Sequence, residues 1–542
     1  MMRWRLLWST DYLSLLIAIL YQALIQRNTP LRSLGDGARV ARGATFMFLQ
    51  GMISNVIGVV FIAILARLIS QEEMGVYAML TFILTAVQSL GVLALPSASA
   101  KYIAEYMAEK NPEKARSVIT RVLQLSFVAA IVGFILIYVA SDWLSTIVFG
   151  TSEWTQLFQI SAFVSFFTVF YIQIRSFLQG LQKLQELAAF GLAYTLIQKL
   201  VALCLLLLPG WGLYSIPWSM LTSVVISCLV GLVLTAKFVG VLGKPHSVRT
   251  LVTFSYPLYI SNSLSFVAGW VDQIFILPFM GAVYLGMYHI AVRAIAVPSL
   301  IITSIVAALF PKLSELHAQY GKRSLRGAFR LSTRYAVMVG FPMIVGIASL
   351  AHPVLVFFAG PEYSEAALPL SILCLSVIQA ALGVAVGPTL MTLERTKTLS
   401  MIAVVTILFN TAVSYFTLAY LNLGMLGTAL ARVLSAFLGF GLAIYALKGI
   451  VEVSFDKESL WKTSLASGFM VIVIAFLSYF LEGIMSQIGL LSLSVIIGAF
   501  VYFGSLVVLR AVKRQDIELV REYLPKRLER VAVWLDRLVL AK

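Results

Sequence analysis

Five charged side chains lie inside long apolar stretches of this 542-residue chain: Arg67, Lys199, Asp272, Arg293 and Arg432. A charge held in hydrocarbon costs about 2.5–3.5 kcal/mol even on the lenient insertion scale, so such a residue is functional, paired or within reach of water. Four of the five are cations. Arg offers a planar fork that matches phosphate or carboxylate oxygens and Lys a point charge, so cations turned to one lumen would hold an acidic or phosphate-bearing ligand. Arg175, Glu186, Lys237 and Arg334 stand apart, because each lies within about one turn of the inner end of its stretch and can reach water.

The neighbours of the five sharpen the reading. Lys199 sits near the middle of its stretch with Thr195 one turn away, and Arg432 shares a face with Thr428 and Ser435. The stretch around Arg432 contains no Asp or Glu, and that around Lys199 has only Glu186, at its end. Arg293 has His289 one turn away, and Asp272 on the preceding stretch is a candidate to neutralise it. Ser261, Ser265 and Asp272 follow spacings of four and seven, a polar stripe that should face protein or water. Arg67 lies close enough to an outer end to snorkel. No catalytic or metal constellation stands out. His246, His289, His317 and His352 are scattered, Cys204, Cys228 and Cys374 sit in apolar runs as small packing residues, and Glu72–Glu73 reads as a solvated turn. Gly240–Gly243 lacks phosphate-loop spacing, and no cofactor is implied.

The elements that carry these residues follow from composition. With 60% hydrophobic and 12% charged residues and a mean hydropathy of +0.94, the chain is an all-α polytopic membrane protein. About 14 windows are long enough to span: 44–69, 74–98, 118–140, 157–179, 186–208, 214–237, 253–279, 285–309, 331–351, 366–390, 399–420, 425–447, 463–482 and 489–510. Lys and Arg are absent from every second loop, and the net charge of +16 gathers on the alternate side. That asymmetry puts both ends of the core in the cytoplasm and is a membrane-topology signal rather than a nucleic-acid footprint. Residues 1–42 form a basic lead whose apolar run, 12–24, suits an interfacial helix, with an extra span as the alternative. Residues 511–542 read as a basic amphipathic tail on the inner leaflet, attracted to its lipids.

The chain also repeats itself. Gly75-Val76-Tyr77 is echoed by Gly286-Met287-Tyr288, 211 residues on, and Phe177-Leu178-Gln179-Gly180 by the stretch after Leu390. An N-lobe of six spans (43–250) and a C-lobe of six (251–450) are therefore expected, with spans thirteen and fourteen (451–510) outside the repeat. Six is even, so both copies would share one orientation, related by a pseudo-two-fold axis along the membrane normal with a site between them.

The pattern Ala66-Arg67-Leu68-Ile69-Ser70-Gln71-Glu72-Glu73-Met74-Gly75-Val76-Tyr77, with Asp272-Gln273-Ile274 and Gly286-Met287-Tyr288, resembles the polysaccharide-biosynthesis flippases of the multidrug/oligosaccharidyl-lipid/polysaccharide exporter superfamily. The resemblance covers roughly residues 43–510. It implies a carrier that moves a polyprenyl- or dolichyl-linked oligosaccharide from the cytoplasmic to the external leaflet by alternating access; a monomer in the cell membrane is expected. It also implies a cationic cavity, for which Lys199, Arg293, Arg432 and Arg67 are the candidates, and Asp272 is the candidate to carry a coupling ion, H+ or Na+. The alternatives are a multidrug or cation exporter of the same superfamily, disfavoured by a single intramembrane carboxylate, and a membrane polymerase or glycosyltransferase, disfavoured by short outer loops.

Overall fold

The computed structural model describes residues 34–512 apart from 241–242, 322–323 and 482–484. The expectations for residues 12–24 and for the tail beyond 512 lie outside that range. All regular structure among the described residues is helical. In chain order the helices are α1 Leu34–Leu68, α2 Gln71–Ala86, α3 Leu95–Ala108, α4 Pro112–Trp143, α5 Thr155–Gly180 and α6 Leu184–Leu206. They continue with α7 Ser215–Phe238, α8 Val248–Met280, α9 Ala282–Ala294, α10 Ala296–Tyr320, α11 Leu325–Ser349 and α12 Ala351–Phe358. The last are α13 Ala367–Leu382, α14 Val386–Thr392, α15 Thr396–Ala419, α16 Gly424–Leu447, α17 Lys457–Leu481 and α18 Gln487–Val508. A backbone in hydrocarbon must satisfy its own hydrogen bonds, and helices do so within each segment.

Thirteen spans pass on length and hydropathy among the described residues, and the bent pair α9–α10, with 44° between Ala282–Ala294 and Pro298–Val306, makes the fourteenth. The first helix starts earlier than its span, because α1 already runs from Leu34 through the polar residues that precede Thr45, where the span opens. Ends recur at the spacing read from the sequence. Gln71 and Ala282, which open α2 and α9, are 211 residues apart, and Leu184 and Thr396, which open α6 and α15, are 212 apart.

Contacts group the chain into two compact units. The first runs to Ile290 and includes Leu418–Met425; the second is Ala291–Thr417 with the residues from Leu426 onward. The first unit thus takes in α8, which the repeat assigns to the second copy. Its core gathers Leu95, Ile103, Ile119, Tyr171, Phe177, Phe190 and Leu251 from α3 to α8. Small residues let these helices close up: a Cβ on Gly180 would stand 2.8 Å from the Ala100 carbonyl, and one on Gly231 would collide with Ile174. In the second unit Leu350, Met470, Ile474, Tyr502 and Leu506 knit α17 and α18 to the end of α11, and the Tyr502 hydroxyl donates to the Met338 carbonyl at 2.6 Å.

Candidate functional site

The turn between α1 and α2 is two residues, Ile69 and Ser70, and it is tightly tied. Ser70 Oγ accepts from the Glu73 amide at 3.2 Å, and Glu73 Oε2 accepts from the Ser70 amide at 2.8 Å, a reciprocal capping box. Glu73 therefore has a structural task that a merely solvated face would lack. The box fixes where α2 starts, and hence where Gly75 and Tyr77 point. Gly75 lies against the backbone of Ala282, and Gly286 against the backbone of Gln71 and Gly75, so the echoed glycines bring α2 and α9 into backbone contact.

That close approach assembles a buried polar group between α8 and α9. Tyr288 donates its hydroxyl proton to Asp272 Oδ2 at 2.8 Å, and one residue along, His289 Nδ1 lies 2.8 Å from Gln273 Oε1. With Oε1 as acceptor, Nδ1 carries the proton. Asp272 and Tyr288 are both fully buried, and His289 and Gln273 nearly so. Aromatic rings pack against the imidazole: Tyr77 edge-on at 6.0 Å and Trp270 stacked at 6.1 Å. Chemically, this is a carboxylate that accepts from a phenol hydroxyl in a low-dielectric site.

Trp270 is shared with a second feature. Thr85, Gln88, Ser89, Asn262, Ser265, Phe266, Gly269 and Trp270 line a crevice of about 340 Å³ between the end of α2 and the middle of α8, within the first unit. Its α2 wall is a π-helical segment, Val87–Gly91, followed by Leu93 and Ala94 with φ of +50° and +52°. Phe82 packs on both Phe266 and Trp270, with ring centroids 5.4 Å apart in each case. The polar stripe read from the sequence therefore changes character along α8. Ser261 and Ser265 are exposed, Ser265 in the crevice lining, while Asp272 is sealed.

The cations are placed as follows. Lys199 is half-buried on α6, with its Nζ 4.1 Å from the centroid of Phe61 on α1. One turn away Thr195 Oγ1 reaches Ser54 Oγ at 3.2 Å, and Gln50 Nε2 donates to the same oxygen at 2.9 Å, a polar seam between α1 and α6. Arg67 is exposed in the last turn of α1, as snorkelling requires. These two and Asp272 belong to the first unit; half-buried Arg293, at the end of α9, and half-buried Arg432, on α16, belong to the second. Arg334 departs from expectation. It does not reach water but is 5% exposed, with Nη2 donating to the Ala511 carbonyl at 3.2 Å. A carbonyl 177 residues away in sequence meets one of its guanidinium nitrogens, where water at the span end was expected to. Cys228 and Cys374 are buried as packing residues, whereas Cys204 is exposed on α6. No cluster of three or more metal-ligating side chains occurs among the described residues.

Counting charges missed Gln88, Asn262, Gln273 and Tyr288. The signal was present, since amides inside apolar windows also carry a desolvation cost.

Helices of this length and hydropathy, enclosing a buried carboxylate network and a polar crevice, define a multi-pass, all-helical membrane protein. Residues 40–317 match the family described as Polysaccharide biosynthesis protein, and the chain belongs to that family. It is 24% identical over 306 residues to the "Probable low-salt glycan biosynthesis flippase Agl15" of Haloferax volcanii, covering 56% of this chain and 62% of that relative's length. In fold it is similar to "Lipid II flippase MurJ, inward closed conformation" (18% identity, TM-score 0.68, 85% of this chain and 98% of that one). It is likewise similar to a multidrug resistance MATE family transporter of the MOP superfamily in an inward-facing conformation (14% identity, TM-score 0.65, 80% and 99%).

Proposed function

We propose that this protein is a flippase that carries a lipid-linked oligosaccharide from the cytoplasmic to the external leaflet by alternating access. It would act as a monomer in the cell membrane with cytoplasmic termini. The observation that carries the reading is the polar crevice between two apolar spans, in a chain of the polysaccharide-biosynthesis family. Sugars and phosphates cross hydrocarbon only at a large desolvation cost, and a hydrated cleft removes that barrier while the polyprenyl or dolichyl tail stays in lipid. Lys199, Arg293, Arg432 and Arg67 supply the charge for an acidic head group, and Asp272 is the candidate for a coupling proton or sodium ion. The names of the relatives support transport rather than catalysis.

The deciding experiment reconstitutes the protein in liposomes with lipid-linked oligosaccharides and follows their appearance in the opposite leaflet. Protein-dependent movement is expected. Export of organic cations without movement of any lipid-linked sugar would assign the chain to the drug exporters instead.

A further inference from the structure

Gln88 and Asn262 are exposed although both lie inside candidate spans, Gln71–Gly91 and Val248–Met280, and neither side chain has a hydrogen-bond partner among the described residues. An amide left unsatisfied in hydrocarbon carries a heavy desolvation cost, so their crevice faces water or a ligand rather than lipid tails. The exposed face of α17, by contrast, presents Phe469, Ile472 and Phe476.

Three further features converge on the same place. The π-helical segment carries Gln88 and Ser89, and such insertions gather at functional sites because they re-aim side chains at some expense in helix geometry. The two successive left-handed, non-glycine residues that follow, Leu93 and Ala94, are a strained break of the kind found at ligand sites. Finally, the lining contains no charged side chain. It pairs two amides, each both donor and acceptor, and three hydroxyls with the rings of Phe266 and Trp270.

We propose that this crevice is a subsite for an uncharged, hydroxyl-rich ring, a pyranose of the cargo's head group. Gln88 and Asn262 exchange hydrogen bonds with adjacent hydroxyls, while the apolar face of the sugar lies on the Phe266–Trp270 wall. The volume of about 340 Å³ falls in the range of small-molecule pockets. The subsite rests on the transport reading for its biological meaning, but it is a binding property and can be tested without transport. It separates two tasks: the cations engage the anionic linkage common to many carriers, and this crevice reads the sugar.

Gly269 supplies a clean block, because a Cβ there meets nothing within 4 Å, so a larger side chain fills the crevice without a clash in the fold. The full-length protein in phospholipid nanodiscs, free of sugar-headed detergent, is examined by saturation-transfer NMR with methyl glycosides of glucose, galactose, mannose, rhamnose and N-acetylglucosamine. Saturable transfer to at least one is expected, weakened roughly tenfold in Gln88→Ala or Asn262→Ala and abolished in Gly269→Leu. No transfer to any of the five, or transfer unchanged in Gly269→Leu, overturns the proposal.

A second measurement guards against folding artefacts. In a Cys204→Ser background, Gln88→Cys and Asn262→Cys should react with a charged thiol reagent at least tenfold faster than Leu200→Cys, whose parent side chain is exposed on α6. Equal rates overturn the crevice's access to water. Sugar binding in a protein that moves no lipid-linked sugar would leave the subsite standing and the flippase reading refuted; movement without sugar binding would do the reverse.

Discussion

Gly75 and Gly286 hold the same place in two copies of one motif, and they pack against each other: a Cβ built on Gly286 would lie 2.8 Å from the amide nitrogen of Gly75. The contact is between backbones, which cannot rotate aside as a side chain can. Gly75→Ala and Gly286→Ala should each lower the stability of the purified protein by about 1–3 kcal/mol, the usual cost of overpacking. Gly51→Ala, with nothing within 4 Å of its new methyl, should cost nothing measurable. Thermal unfolding in nanodiscs compares the three, and an unchanged Gly75→Ala would show that the crossing yields.

Removing the Tyr288 hydroxyl withdraws a donor from a fully buried carboxylate. Tyr288→Phe should therefore destabilise by about 1–3 kcal/mol. Asp272→Asn keeps an acceptor oxygen and should cost less stability, yet abolish ion-dependent transport if Asp272 is the coupling group. Full transport by Asp272→Asn, or ion-independent transport by the parent protein, removes that role.

Replacing Lys199, Arg293 and Arg432 by Gln should slow movement of an acidic lipid-linked sugar while leaving the protein folded, as judged by circular dichroism and gel filtration. The loss should deepen from single to triple variant. A triple variant that transports normally would refute the cationic site.

The cap at the turn between α1 and α2 offers a smaller, local test. Ser70→Ala removes the oxygen that accepts from the Glu73 amide and should cost about 1 kcal/mol. Glu73→Gln retains an acceptor for the Ser70 amide and should cost less. Hydrogen exchange of the first turn of α2 reports both, and equal protection in Ser70→Ala and the parent would discount the box.

The spans were legible because each apolar window must satisfy its own backbone, so length and hydropathy suffice. The hairpin at Ser70 and the 211-residue spacing were legible for a similar reason: both are written in contiguous residues. Arg334 was misread because its partner, the Ala511 carbonyl, belongs to a distant part of the chain. The π-helical segment at Val87–Gly91 leaves no mark in composition, since it changes which carbonyl each amide reaches without changing residue type. Gln88 and Asn262 were visible in the sequence but outweighed by charges, whose cost in a membrane is larger.

The glycine crossing also bears on how the two copies of the motif can drift. A duplicated segment is ordinarily free to change in either copy, because the other retains the original. Here the backbone of one copy is the wall against which the other rests, so a substitution at Gly286 is felt at Gly75 and one at Gly75 is felt at Ala282. Two residues on, that bond is released: Tyr77 turns its edge to His289, whereas Tyr288 has taken Asp272. The two stretches are alike where they touch and differ in chemistry one half-turn away.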